Sequence, residues 1–190
     1  MDDSTYSYVI DENDRIVKES ANWDAFGHQN GIEDSLSKRE VGQSIWSFIH
    51  GEETRMLYQT IFERVRAGKI LRPIPFRCDG PDIRRFLHLK LIPLTDGWIE
   101  VTSRILKTEP RPAVNALDAD APRSQEILRI CSMCKRVPIE SDLWVELETA
   151  IAERHLFDDA KPPRLSHGLC PQCFQETMDA LEAEVAAENA

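Results

Sequence analysis

Four of the five cysteines in this 190-residue chain fall into two Cys-x-x-Cys pairs, Cys131-Ser-Met-Cys134 and Cys170-Pro-Gln-Cys173, with the 35 residues from Lys135 to Leu169 between them. Two thiolates on one tight turn can aim at a single ion, and two such turns meet the tetrahedral preference of zinc. Cys131, Cys134, Cys170 and Cys173 are therefore expected to be the ligands of a structural zinc site. Lys135-Arg136, directly after the first pair, would offset the negative charge of four thiolates. Pro171 suits a first helical position, and the stretch from Phe174 to Glu188 is rich in Ala, Glu, Leu and Met, so the second pair should open a helix. Amide hydrogens at that helix start would point towards the sulfurs. The segment has few large apolar residues, and the metal would supply folding energy that they do not.

Two other chemistries compete for the same sulfurs. A single Cys-x-x-Cys serves as a redox dithiol in oxidoreductases, but two pairs together favour metal. An iron–sulfur cluster or haem is the other alternative: Cys170-Pro171 matches the Cys-Pro element of some haem-responsive proteins, although a helix start explains the proline without haem. His167, three residues before Cys170, either replaces one thiolate or contacts the site from outside the ligand set; the plainer reading makes Ser166-His167-Gly168 an approach turn. His155 closes the stretch LETAIAERH, where a partly cationic ring suits a helix C-terminus. Cys78 stands alone at the end of the stretch Pro75–Cys78, before a turn, and reads as structural.

No Gly-rich phosphate loop, Gly-x-Ser-x-Gly elbow, His-Glu-x-x-His helix or kinase signature occurs in the chain, so no catalytic residue is assigned and a non-enzymatic role is expected. A composition of 42% hydrophobic and 29% charged residues is that of a globular protein. The formal charge of −10 opposes attraction to nucleic acid phosphates and to an anionic membrane surface, leaving proteins or small molecules as partners. The longest apolar runs are a few residues, far below the roughly 20 that a spanning helix needs. Met1-Asp2-Asp3-Ser4 lacks the basic start and apolar stretch of a secretory signal, so a cytoplasmic location is expected. That compartment is reducing, which again favours metal ligation over disulfides. Acidic residues such as Glu52, Glu53 and those of the last helix read as solvated surface.

The elements that must position these residues fall into two regions. Residues 108–125, TEPRPAVNALDADAPRSQ, carry three prolines and no sustained helical or strand period, and read as a linker between a module at 1–107 and another at 126–190. In the first module, Tyr8-Val9-Ile10 and Arg15-Ile16-Val17 flank a polar turn and make a hairpin. Leu57, Ile61 and Val65 then recur every four residues beside Tyr58 and Phe62, giving one apolar helical stripe that Gly68 should end. Period two follows: Leu87, Leu89 and Leu91 alternate with Phe86, His88 and Lys90, and Ile99, Val101 and Ser103 with Trp98, Glu100 and Thr102. Turns at Asp79–Asp82 and Thr95–Gly97 make this an antiparallel meander. The three leucines should face the interior and His88 the other side, where Trp98 adds an apolar patch suited to self-association.

The order strand, strand, helices, strand, strand, strand resembles the PAS fold, a five-stranded antiparallel sheet with helices across one face. YVIDENDRIV is similar to the opening hairpin of that family, NWDAFG to the helix after it, and VGQSIWSFI to the segment before the long helix. The resemblance covers Tyr6 to about Lys107 and implies a sensory or interaction module with a cavity between sheet and helices for a small-molecule ligand. The light-sensing branch uses a cysteine within Asn-Cys-Arg-Phe-Leu-Gln, which is missing here, so flavin photochemistry is not expected. Haem-binding relatives supply a helical-side histidine, for which His28 and His50 are the candidates. Over Ile130–Met178, a turn-borne first pair, a hairpin around Trp144 and a second pair opening a helix resemble the treble-clef zinc fingers. CSMCKRV and SHGLCPQC further resemble a C-terminal module attached to bacterial sensory proteins.

The expectation is thus an α+β protein, a PAS-like module followed by a zinc-stabilised one, acting as a cytoplasmic sensory adaptor whose signal leaves through a protein contact. The rival is a haem- or redox-responsive sensor, in which oxidation of the thiolates ejects the metal.

Overall fold

Alternating apolar residues in the N-terminal region form an antiparallel sheet in the computed structural model, which describes residues 4–25, 40–118, 121–141, 143–154 and 161–188. Strands β1 (Thr5–Ile10) and β2 (Ile16–Glu19) make the expected hairpin. Its turn is held by Asp11, whose carboxylate accepts the backbone N–H groups of Asn13 at 2.9 Å and Arg15 at 2.8 Å. Strands β3 (Ile74–Arg77), β4 (Ile83–Pro93) and β5 (Ile99–Pro110) complete a five-stranded sheet in the order β2-β1-β5-β4-β3. All neighbours are antiparallel; β1 pairs directly with β5, Tyr8 opposite Val101, so the first hairpin joins the far edge of the meander.

Helix α1 (Glu52–Arg66) lies across one face of this sheet. Gly51, at φ 84°, sets the chain direction just before it, and Gly68, at φ 82°, turns the chain out after it; both angles lie where a side chain is strained. Glu52 and Glu53 in the first turn, with Arg64 and Arg66 in the last, oppose the helix dipole favourably. Leu57, Ile61, Phe62 and Val65 are at most 1% exposed and pack with Ile10, Ile16, Leu89, Leu91, Ile99 and Val101. Burying one such side chain contributes about 1.5–3 kcal/mol. In the segment before the long helix, Ile45–Ser47 is a single 3-10 turn capped by Ser44, and Gly51 separates it from α1. Leu87, Leu89 and Leu91 face the core as expected, while His88 is half-buried on the other face and Trp98 is exposed.

The C-terminal region is built from shorter pieces. Strand β6 (Ile127–Cys131) pairs in parallel with β9 (Arg164–Gly168), and β7 (Val137–Pro138) forms a two-residue hairpin with β8 (Trp144–Val145). Helices α2 (Leu147–Arg154) and α3 (Pro171–Glu188) follow β8 and β9. Cys131, Met133, Leu169, Cys170 and Leu181 belong to the same hydrophobic cluster as α1 and the sheet, and the Arg64 guanidinium donates to the Leu181 carbonyl. A second cluster gathers Ile130, Val137, Leu147 and Ala150 around Val114 and Ala116.

The last two residues come from the stretch expected to be a linker. Thr108–Pro110 continue β5, Arg111 is buried, and the Val114 N–H donates to the Pro81 carbonyl. Only a few isolated residues of this stretch are buried, so no period marks it in the sequence. Among the described residues no helix is long and apolar enough to cross a membrane. His28 and His155 lie outside the described residues.

Candidate metal centre

The two Cys-x-x-Cys turns converge because β6 and β9 run side by side. Cys131 is the last residue of β6 and Gly168, its register partner, the last of β9, so each strand delivers its cysteine pair to the same end. After Cys131 the chain folds back in a tight turn: the Lys135 N–H donates to the Cys131 carbonyl at 3.0 Å, and Lys135 adopts φ 61° to leave it. On the other side Pro171 is the first residue of α3, as its fixed φ and missing N–H favour. The hairpin carrying Trp144 lies between the two pairs in sequence.

The four Sγ atoms all lie within 4.8 Å of one another, close enough to bind a metal ion. Cys134 Sγ and Cys170 Sγ are 3.8 Å apart. Cys131 and Cys170 are buried; Cys134 and Cys173 are half-buried. Backbone amides point at the sulfurs as expected for a helix start, Cys170 N–H to Cys131 Sγ and Cys173 N–H to Cys170 Sγ, each at 3.4 Å. Four thiols this close cannot all ionise alone. Hydrogen bonds from Cys134 and Cys173 hold the Cys131 thiol far below its ordinary pKa, and the same bonds push Cys134 up to about 12 and Cys173 higher still. A divalent cation resolves this conflict, because its charge holds the thiolate form of each ligand. His167 is not part of the cluster; its side chain is exposed and its backbone pairs with Ile130. Cys78 stays apart, half-buried, its amide bonded to the Arg85 carbonyl.

The first cysteine turn is fastened to the sheet edge by Arg77 of β3. The Arg77 backbone N–H donates to the Met133 carbonyl at 2.8 Å, and its guanidinium donates to the Cys134 carbonyl at 2.9 Å and to both oxygens of Glu146, at 2.9 and 3.0 Å. The same guanidinium pairs with Asp79, whose side chain is 0% exposed. Asp79 also takes Arg111 at 3.0 Å, and Arg111 lies 2.8 Å from Glu148, which pairs with Arg84. Burial alone would lower the pKa of Arg77, but its hydrogen bonds to Asp79 and Glu146 hold it above the ordinary value. These six side chains tie β3, β4 and the residues after β5 to the start of α2. The sequence reading passed over them, since arginines and carboxylates scattered from 77 to 148 look like surface charge. The one available signal was the density of arginines around the Asp79–Asp82 turn.

No family model matches the chain, and no curated protein matches it. Among solved structures it is similar to a domain of an HTR-like protein from Haloarcula marismortui, at 15% identity and a TM-score of 0.38, over 55% of this chain and 99% of that one.

Proposed function

We propose that this chain is a non-enzymatic sensory or adaptor protein in which a PAS-like unit, residues 1–107, is coupled to a zinc-stabilised unit of treble-clef type, residues 126–190. The stretch between them, residues 108–125, acts as a strap along the junction. One observation carries the reading: the thiol cluster is bonded to the sheet edge through Arg77, which takes the carbonyls of both Met133 and Cys134. A state of the sheet can therefore be felt at the cysteine turn, and the reverse.

Zinc is supported by the ligand chemistry and by distance. Metal–sulfur bonds of about 2.3 Å in a tetrahedron set the sulfurs roughly 3.8 Å apart, and Cys134 and Cys170 sit at 3.8 Å. Four cysteines, two buried and two half-buried, would fill all four tetrahedral positions and leave none for water or substrate, which fits a structural site more than a catalytic one. The PAS-like assignment is supported by the five antiparallel strands with α1 on one face. Signal output would pass to a protein partner, and the exposed Trp98 and Leu106 offer apolar surface for it or for a second copy.

The test is hydrogen exchange on the purified chain before and after chelation, beside metal analysis. About one zinc per chain is expected, and chelation should speed exchange at the amide of Arg77 as well as at the cysteine turns. A chain that purifies with a haem or iron–sulfur chromophore in place of zinc would sink the proposal. So would a β3 whose exchange ignores metal removal.

A further inference from the structure

Away from the cysteines, β1, β2, the 3-10 turn and α1 border a cavity of about 250 Å³. Four of its walls are aromatic: Tyr8, Trp23, Phe48 and Tyr58. Isoleucines 16, 45 and 49 fill the remaining apolar wall, and the one charged group described in the lining is the carboxylate of Glu40. Trp23 holds that carboxylate in place, its indole N–H donating to Glu40 Oε2 at 3.1 Å. The rings are themselves braced, Tyr8 edge-on to Trp23 at 5.7 Å and Tyr58 edge-on to Phe62 at 5.8 Å.

The charge described in the lining of this cavity is that of Glu40, and the two tyrosines beside it stay neutral. Burial raises the pKa of the Tyr8 hydroxyl above its ordinary value, and Tyr58 and Glu40 raise it further. Burial also pushes the Tyr58 hydroxyl up to about 12. On the neighbouring strand, both carboxylate oxygens of Glu19 are buried and meet no donor among the described residues. Glu19 faces Glu40, and burial together with that like-charged neighbour lifts its pKa to about 7. One carboxylate, Glu40, and the two tyrosines thus line a space with no described cation among its walls, and Glu19 lies behind Glu40, outside that lining.

We infer that this cavity binds a small organic cation of the methylated-ammonium class, held between the faces of Tyr8, Trp23, Phe48 and Tyr58 and neutralised by Glu40. The inference rests on the sensing-unit reading above and supplies the ligand chemistry for it. Aromatic faces attract diffuse positive charge, and do so most strongly where water is excluded. A hydrated metal ion would find too few oxygen ligands here to replace its water shell, since Glu40 and two phenol oxygens stand among four aromatic rings and three isoleucines. A methylated ammonium needs none. The volume lies below the roughly 300–1,000 Å³ of sites for drug-sized ligands, which limits the occupant to a compact molecule. Its charge would also relieve the repulsion between Glu40 and Glu19.

The test compares choline with dimethylbutanol, its uncharged carbon isostere, by titration calorimetry on the full chain. Choline should bind at least about tenfold more tightly than the isostere, the size of a partly desolvated cation–π contribution. Glu40→Gln and, separately, Phe48→Leu should each weaken choline several-fold, with thermal unfolding recorded for both variants. Phe48 is 41% exposed at the rim, so that variant keeps the comparison usable if Glu40→Gln unfolds. Equal affinity for choline and the isostere would overturn the cation assignment while leaving a ligand-binding sensing unit in place. Absence of choline binding at tens of millimolar would overturn it as well. Neither outcome touches the metal-dependent exchange of Arg77, which judges the adaptor reading separately.

Discussion

Around α1, four large side chains no more than 1% exposed meet six sheet residues that are equally apolar, and five strands supply continuous backbone pairing. In the C-terminal region, two-stranded sheets of five and two residues a strand enclose a small second cluster of Val, Ala and single Ile or Leu residues, while Cys131 and Cys170 pack at the margin of the larger core. The first region owes its shape to apolar burial distributed over many positions. The second has few apolar groups to offset the entropy of ordering its backbone, and an ion held by the four sulfur atoms, as proposed above, would supply the remainder. One chain therefore carries two sources of stability, and perturbations should separate them.

The largest effect should come from the thiols. In a Cys131→Ser/Cys170→Ser double variant, loss of a structural metal removes on the order of 10–16 kcal/mol of binding free energy. Amides of β6, β9 and the first turn of α3 should lose protection from hydrogen exchange while those of β4 and β5 keep most of theirs. Equal loss across both regions would show that one shared core governs the whole chain. Next in size is Asp79→Ala, which removes the fully buried carboxylate shared by Arg77 and the 1%-exposed Arg111 and leaves them only Glu146 and Glu148 as counter-charges. Breaking a buried pair from one side costs about 3–5 kcal/mol. Urea unfolding followed separately at Trp46 and Trp144, each kept in turn as the reporting tryptophan, should split into two transitions in this variant if Asp79 couples the regions.

Leu57→Ala comes third. It opens a cavity under α1 and should cost about 2–5 kcal/mol of unfolding free energy, read from a lower urea midpoint, with the metal content of the preparation unchanged. Loss of zinc from this variant would mean that α1 sets the cysteine geometry. The smallest effect concerns pH. Glu19 has its folded pKa raised from 4.5 to about 7, so between those values the folded chain binds more protons than the unfolded one. Stability therefore falls as pH rises from about 4.5 to about 7. Glu19→Gln should flatten that dependence, read as the difference between urea midpoints at the two ends of the window.

Much of the metal centre was legible early because cysteine pairs carry their geometry in their spacing, and Pro171 marks the start of α3 without help from any neighbour. The leucines of β4 and the stripe of α1 were legible for a related reason: period two and period 3.6 report which face a core occupies. The helix start was less so. The stripe of Leu57, Ile61 and Val65 does not mark where the helix begins, and it is Gly51 that separates α1 from the single turn capped by Ser44. The stretch at 108–125 looks like a linker because the buried residues described in it, Arg111, Val114 and Ala116, have no common period.

By itself the sequence determined the two Cys-x-x-Cys turns, the two hairpin-forming regions, the amphipathic helix and the alternation of the meander, since each depends on residues close together in the chain. Tertiary structure alone decided that β6 and β9 lie in parallel to bring the two cysteine pairs together, and that Arg77 reaches the Met133 and Cys134 carbonyls. It alone gathered Tyr8, Trp23, Glu40 and Tyr58 around one cavity. Such contacts join residues tens of positions apart, and a hydrogen bond or an aromatic wall leaves no periodic trace in the segments it connects.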